Sequence, residues 1–291
     1  MHAPRIHVLS LVAAALTFLT LTFGGFVTSL EAGMVFLDWP TSDGSFNPPG
    51  WLRDPGRFSE HGHRIVGAVL GLATIALAIS LQRRDERRFV RVLGWIALAA
   101  VSLQGLLGGL RVTEVSTTLA LLHGCTGQAL FCVMVALVYL TSRDAREAPE
   151  PGPDTRNLAV AAGAALAAVY LQVVLGAQLR HVRGPVHAHI LGALCVAGAV
   201  LWLLPITLLR HAGRRRIVRP VLLLALLLLV QIGLGLAANS ALITQGRGAV
   251  VLPSLHQEVG AVLLATTLLV CLRAVRRIQA ASVTAAAEGA R

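Results

Sequence analysis

Long apolar runs alternate along the chain with short polar connections that carry most of the arginines. A run of about 20 apolar residues can cross a bilayer core about 30 Å thick. Eight such runs stand out, at roughly 7–30, 61–82, 89–110, 118–141, 157–180, 186–209, 219–241 and 252–273. Backbone groups in lipid need partners within their own segment, so each run is expected to be a helix. The first run is too long for the apolar stretch of a leader and lacks a convincing cleavage site, so it is expected to stay as an anchor. The pattern predicts an all-α membrane protein with eight transmembrane helices.

The runs also repeat. Gln104-Gly105-Leu106-Leu107-Gly108 is echoed 127 residues later by Gln231-Ile232-Gly233-Leu234-Gly235. His63 and His189 are 126 residues apart, His123 and His256 133. Phe23-Gly24-Gly25 and Val174-Leu175-Gly176 form a looser echo between the first and fifth runs. Four spans per half preserve direction, so the repeat is parallel. The expectation is two pseudo-symmetric four-helix bundles, residues 1–147 and 157–277, joined by a proline-rich linker at 148–156. The Ala/Ser-rich tail, 278–291, is expected to be disordered. Most of the glycines are expected to serve close helix approach, and the remainder to make room for a flat cofactor.

Composition sharpens the class. The chain is 55% hydrophobic and 13% charged, with a mean hydropathy of +0.72, too apolar for a soluble domain of 291 residues. The net charge of +11 comes from arginine alone, and its placement follows the connections rather than a nucleic-acid-binding face. Eighteen arginines flank one side of the eight runs and seven the other, which predicts both termini in the cytoplasm of a plasma or inner membrane. Cys125, Cys132, Cys195 and Cys271 all lie inside apolar runs, which excludes a disulfide in an external loop.

Candidate chemistry sits at the outer starts of the even-numbered runs. His63, His123, His189 and His256 each lie within a few residues of such a start, at similar depth. Two histidines facing each other on neighbouring helices hold haem iron axially, so His63 with His123 and His189 with His256 are expected to make two haem sites. A lone interfacial histidine bonded to backbone is the bland alternative, and four repeat-related ones argue against it. His61 and His187 precede a ligand candidate by two residues and so point about 200° away on a helix. His2, His7 and His211 fall on the opposite side, and His181 in a loop.

Glu60 breaks the symmetry: it precedes His63 by three residues, and its counterpart in the repeat, Val186, is apolar. A carboxylate beside only one metal site suggests that the sites do different work, Glu60 accepting a proton or steadying positive charge. Helix N-terminal stabilisation is the simpler role for it. Arg64, Arg111, Arg180 and Arg247, all on the outer side, are candidates for haem propionates. The loop from Leu30 to Ser59, with Trp39 and Trp51, is long enough to cap the first-half site or to supply an interfacial belt.

With those residues in view the chain resembles the haem A synthase family. The resemblance rests on Gly24-Gly25-Phe26-Val27-Thr28-Ser29, Gly33-Met34, Asp38-Trp39-Pro40-Thr41, Glu60-His61-Gly62-His63-Arg64 and Gly108-Gly109-Leu110-Arg111-Val112. Leu122-His123-Gly124, Leu171-Gln172-Val173-Val174-Leu175-Gly176, His189 and Leu255-His256 complete it. It implies oxidation of the C8 methyl of haem O to a formyl group, making haem A for terminal oxidases. It further implies His63 and His123 as ligands of the substrate haem, Glu60 as the catalytic residue, and His189 and His256 as ligands of a permanent haem b. Partners implied are haem O, a haem O synthase and oxidase assembly factors; membrane lipid and further copies of the chain are expected beside them, and nucleic acid is not. Many bacterial members carry a cysteine pair in the first outer loop, and this chain has none there, so a thiol step does not carry over. Two other classes fit the residues: a bis-histidine dihaem electron carrier linked to quinone, and a transporter built from parallel repeats.

Overall fold

The computed structural model describes residues 4–147, 155–246 and 248–289. Its eight helices are α1 (Pro4–Ser29), α2 (Pro55–Arg84), α3 (Arg88–Thr113), α4 (Thr117–Thr141), α5 (Arg156–Val182), α6 (Val186–Arg210), α7 (Arg215–Thr244) and α8 (Val251–Gly289). Each contains a stretch long and apolar enough to cross a membrane. All eight expected spans are therefore present, and the described residues hold no strand, only an isolated bridge between Ser42 and Ser45. The linker expected over 148–156 lies outside the described residues up to position 154, as does Arg247. Side chains from residue 279 onward, most of the expected tail, lie outside them too.

Local sequence explains the helix ends. Asp54 caps α2, its carboxylate accepting from the Arg57 amide at 2.7 Å, with Pro55 in the first turn where its missing N–H is harmless. Ser116 caps α4 in the same way through Leu119. Arg183 and Gln245 end α5 and α7 in the left-handed conformation that closes a helix.

In the first half α1 packs on α2 and α4, and α3 on α2 and α4, closing a ring. In the second half α5 packs on α6 and α8, and α7 on α6 and α8. Each half buries its own apolar core. Leu77, Leu81, Val90, Ala97, Met134 and Leu137 anchor the first, Leu158, Val200, Leu203, Leu224, Leu264 and Val270 the second. The halves meet through α1 with α8, α4 with α5, and α4 with α8.

At the arginine-rich end, Asp85 at the close of α2 is buried and paired with Arg87 at 2.8 Å and Arg146 at 3.0 Å. Burial pushes its carboxyl up, but the Arg87 hydrogen bonds and the two guanidinium charges outweigh that and leave it below the usual range. Asp144 and Glu147, past the end of α4, reach Arg216 and Arg273 on α7 and α8. At the opposite end lies the feature that distinguishes the halves. Residues 30–54 join α1 to α2, whereas only residues 183–185 join α5 to α6.

Candidate functional site: two histidine pairs

His63 on α2 faces His123 on α4 with ring centres 6.0 Å apart and planes at 76°. His189 on α6 faces His256 on α8 with centres 6.2 Å apart and planes at 70°. An imidazole nitrogen binds a first-row metal at about 2 Å, so two rings sharing one metal atom have centres roughly 6 Å apart. Both separations suit one metal atom between the rings. Even-numbered helices run in the same direction, so both pairs lie toward the same membrane face.

Each ring rests against a glycine of the preceding helix. A Cβ built on Gly24, Gly108, Gly176 or Gly235 would meet the histidine Cε1 at 3.4, 3.2, 3.1 and 3.1 Å respectively. These four glycines do more than let helices approach: they leave room for the imidazole.

A second contact recurs one helical turn earlier. Gln172 donates its amide N–H to the backbone carbonyl of His189, and Gln231 to that of His256, both at 2.9 Å. Gln104 does the same to His123 at 3.1 Å in the amide orientation that satisfies its neighbours. The space each glutamine fills comes from a further glycine on the histidine's own helix. Gln172 lies against Gly192, so that a Cβ there would overlap its amide oxygen, and Gln231 lies against Gly260 at 3.1 Å. On α1 the corresponding residue is Thr20. Its backbone carbonyl accepts from His63 Nδ1 at 3.0 Å, and Gly67 faces open space. Because a carbonyl can only accept, Nδ1 of His63 carries the proton and the Nε2 lone pair is free for a metal.

Above the first pair sits a polar cap. Glu60, one helical turn before His63, is buried. One carboxylate oxygen accepts from the Val35 and Phe36 amides at 3.1 and 3.3 Å; the other pairs with Arg64 at 2.6 Å. Arg64 also donates to the carbonyls of Asp38 at 2.7 Å, Thr41 at 2.5 Å and Phe36 at 3.2 Å. Its guanidinium thus organises the loop. Asp38 closes a tight turn by accepting from Thr41, Asp43 and Gly44, and the Thr41 hydroxyl foremost lowers its carboxyl to about 2. The Trp39 ring lies on Gly109, next to the glycine behind His123. His61 points away from the metal pair, as its spacing predicts, and stacks edge-on with Trp51 while bonding Ser42 at 3.0 Å.

The arginines divide. Arg111 reaches the Gly33 carbonyl at 3.2 Å yet keeps a buried Nε with no partner, and Arg180 donates to Ser29 at 2.8 Å. Arg64 is committed to the loop and to Glu60, and Arg247 lies outside the described residues. Across the interface between halves, Gln257 donates to the Leu21 carbonyl at 3.3 Å, next to Thr20. Its neighbour Glu258 is buried, with Oε2 accepting from Thr22 at 2.9 Å and Oε1 unpartnered. An acidic residue inside the eighth apolar run was the available signal for it; a glutamine four residues before a glycine, in three odd runs, was the signal for the amide contacts.

The buried atoms accommodate a missing group. At the second pair His256 Nδ1 is buried with no hydrogen-bond partner, which fits a bound group beside it. No cluster of three or more metal-ligating side chains occurs among the described residues, so the donor set is two imidazoles per site. Two opposed neutral imidazoles suit haem iron better than an all-protein metal centre.

Fold and site together define a polytopic helical membrane protein with two paired-histidine centres. Residues 53–188, which carry Glu60, Arg64 and both histidines of the first pair, match the model of the cytochrome oxidase assembly protein family. It is 33% identical over 182 residues to a protein of Symbiobacterium thermophilum named "Heme A synthase", covering 59% of this chain and 58% of that one. Over 148 residues it is 32% identical to one of Rhodopseudomonas palustris with the same name, covering 47% and 40%. A third, from Maricaulis maris, is 29% identical over 140 residues, covering 44% and 40%. The matches thus span about half the length of these relatives or less.

Proposed function

We propose that this protein is a haem A synthase, oxidising the C8 methyl of haem O to a formyl group. The observation that carries the reading is the asymmetry of two otherwise equivalent sites. Among the described residues, only the pair His63–His123 lies beneath a buried carboxylate paired with an arginine and a folded loop. We assign haem O to that pair and a resident haem b to His189 and His256. A bis-imidazole haem b supplies one-electron transfer when bound.

Conversion of a methyl to a formyl group withdraws four electrons, which an external electron acceptor takes, and adds one oxygen; with water as the oxygen source four protons are released. The chain's own residues contribute orientation and charge. His63, with Nδ1 bonded to Thr20, presents Nε2 to the substrate iron. Arg111, whose Nε has no protein partner, receives a propionate. The loop over Trp39 and Phe36 keeps bulk water from the reacting edge. Glu60 opposes positive charge developing beside it and accepts protons released there, and Arg64 fixes the carboxylate in place.

Both termini are assigned to the cytoplasm and the cap to the outer face of the inner membrane, on the arginine distribution. Partners under this reading are a haem O synthase and the assembly factors of a terminal oxidase. The test is chromatography of haems extracted from cells that express the chain with a haem O source but no other haem O oxidase. Haem A should appear only when the chain is present, and its absence would overturn the assignment. One observation favours the dihaem electron carrier instead: all three donors to Glu60 already belong to the protein, as expected of a loop anchor. Stoichiometric haem b at both pairs, with no haem O or A, is the signature of that carrier.

A further inference from the structure

We propose that the groove between the start of α7 and the end of the α8 span binds an anionic phospholipid of the surrounding bilayer. The inference is independent of the haem chemistry. Arginines form the upper rim of the groove, and its lower wall is Pro220 and Leu223 of α7 with Leu269 of α8.

The rim is shaped by Pro220. Proline has no N–H, so the Arg216 carbonyl, four residues earlier, has no helical donor. Arg273 of α8 supplies one, donating to that carbonyl at 2.7 Å while its other nitrogens pair with Asp144 at 2.8 Å. Arg216 pairs with Asp144 and Glu147 at 3.0 and 3.2 Å. Protein carboxylates thus match these two cations. Arg215 and Arg219 are not matched: both are exposed and neither has a hydrogen bond or ion pair among the described residues. The start of α7, whose cap residue Arg214 makes no side-chain cap bond, lies at the same end.

Polarity along the groove matches one class of ligand. Two unmatched cations stand at the membrane boundary, and an apolar trough runs from them toward the middle of the span, with Leu223 46% exposed. A soluble phosphate would use the rim and leave the trough bare. A phospholipid puts its phosphate on Arg215 and Arg219 and lays an acyl chain along Pro220, Leu223 and Leu269. Basic pockets between helices at that membrane face suit acidic headgroups, each arginine contributing on the order of a fivefold gain in affinity.

The full-length protein, delipidated in mild detergent, is titrated with phosphatidylglycerol or phosphatidylcholine, and bound lipid is counted by native mass spectrometry. Phosphatidylglycerol should be retained in preference to phosphatidylcholine. Arg215→Gln/Arg219→Gln should weaken it roughly thirtyfold, whereas Arg215→Lys/Arg219→Lys should stay within a few-fold and so guard against a folding artefact. Arg83→Gln/Arg84→Gln removes two exposed arginines at the same face, at the end of α2, and should have little effect. Equal weakening by that control, or equal retention of phosphatidylcholine, would overturn the site. Glycerol phosphate competing as well as the lipid would overturn the lipid reading in favour of a simple anion site.

Discussion

The two histidine pairs are built alike from below and differently from above. Each ring sits on a glycine of the preceding helix, and three of the four have a glutamine one turn earlier holding the histidine's backbone. The exception is His63, where Thr20 offers a backbone carbonyl to the ring itself. Above the first pair a 25-residue connection, from 30 to 54, is folded down by Glu60 and Arg64; above the second, residues 183–185 suffice to turn the chain. A shared floor with an added roof fits the proposed division, in which only the first pair admits, holds and reacts with a substrate. Under the proposed function the second pair needs only to keep a resident haem.

That contrast is broken most sharply at Glu60. Glu60→Gln preserves shape and an acceptor for the Val35 and Phe36 amides but removes the charge that pairs with Arg64. Turnover of haem O is expected to fall about 10²–10⁴-fold, the usual effect of deleting a positioned acid–base group. Haem bound between His63 and His123 should persist, visible as haem O accumulating on the protein. Unchanged haem A production would reduce Glu60 to a loop anchor and leave the roof without chemistry.

The floor is tested next. Gln172→Leu removes the amide that holds the His189 backbone. Loss of a supporting partner behind a metal ligand typically costs 10–100-fold in affinity, so haem b retention during purification should drop by about that factor. Substrate binding at the first pair should be spared. If both haem populations fell together, the two floors would be one mechanical unit.

The smallest effect is expected in the roof's outer turn. Asp38 is held near pH 2, below the ordinary carboxylate range, chiefly by the Thr41 hydroxyl. A lowered carboxylate contributes stability that is fully present above its unfolded pKa and lost as pH falls through the folded value. The loop should therefore resist protease equally from pH 5 to 8 and loosen only in strong acid. Asp38→Asn should raise cleavage within residues 36–44 a few-fold at neutral pH, because the group is exposed and screened. Cleavage of Asp38→Asn at the unaltered rate would remove Asp38 from the account.

Much of this arrangement was legible in the sequence. Hydropathy and arginine placement predict the eight helices, and the four histidines at even helix starts predict which side chains would meet. Glycine was harder to read. Gly108 and Gly105 look alike in the sequence, yet one backs His123 and the other faces open space, because helix rotation decides which meets the ring. The glutamines were visible as part of a repeat, but nothing in a linear pattern says that their amides reach a carbonyl on the next helix. Arg64 shows the opposite limit. An outer arginine suits a propionate by charge, but the carbonyls of Phe36, Asp38 and Thr41 are brought to it only by loop folding. Glu258 was overlooked because a single acid in a long apolar run scarcely alters hydropathy, although its burial beside Thr22 ties α8 to α1.

The central claim is that the two pairs hold different haems. It is tested by purifying the wild-type protein, His63→Ala and His189→Ala from cells that supply haem O, then identifying the extracted haems by chromatography and the bound ones by low-temperature spectra. His63→Ala should retain haem b and lose haem O and haem A. His189→Ala should lose haem b while haem O remains on the protein, no longer converted. Loss of haem b from His63→Ala with retention in His189→Ala would contradict the division, as would equal depletion of every haem in both.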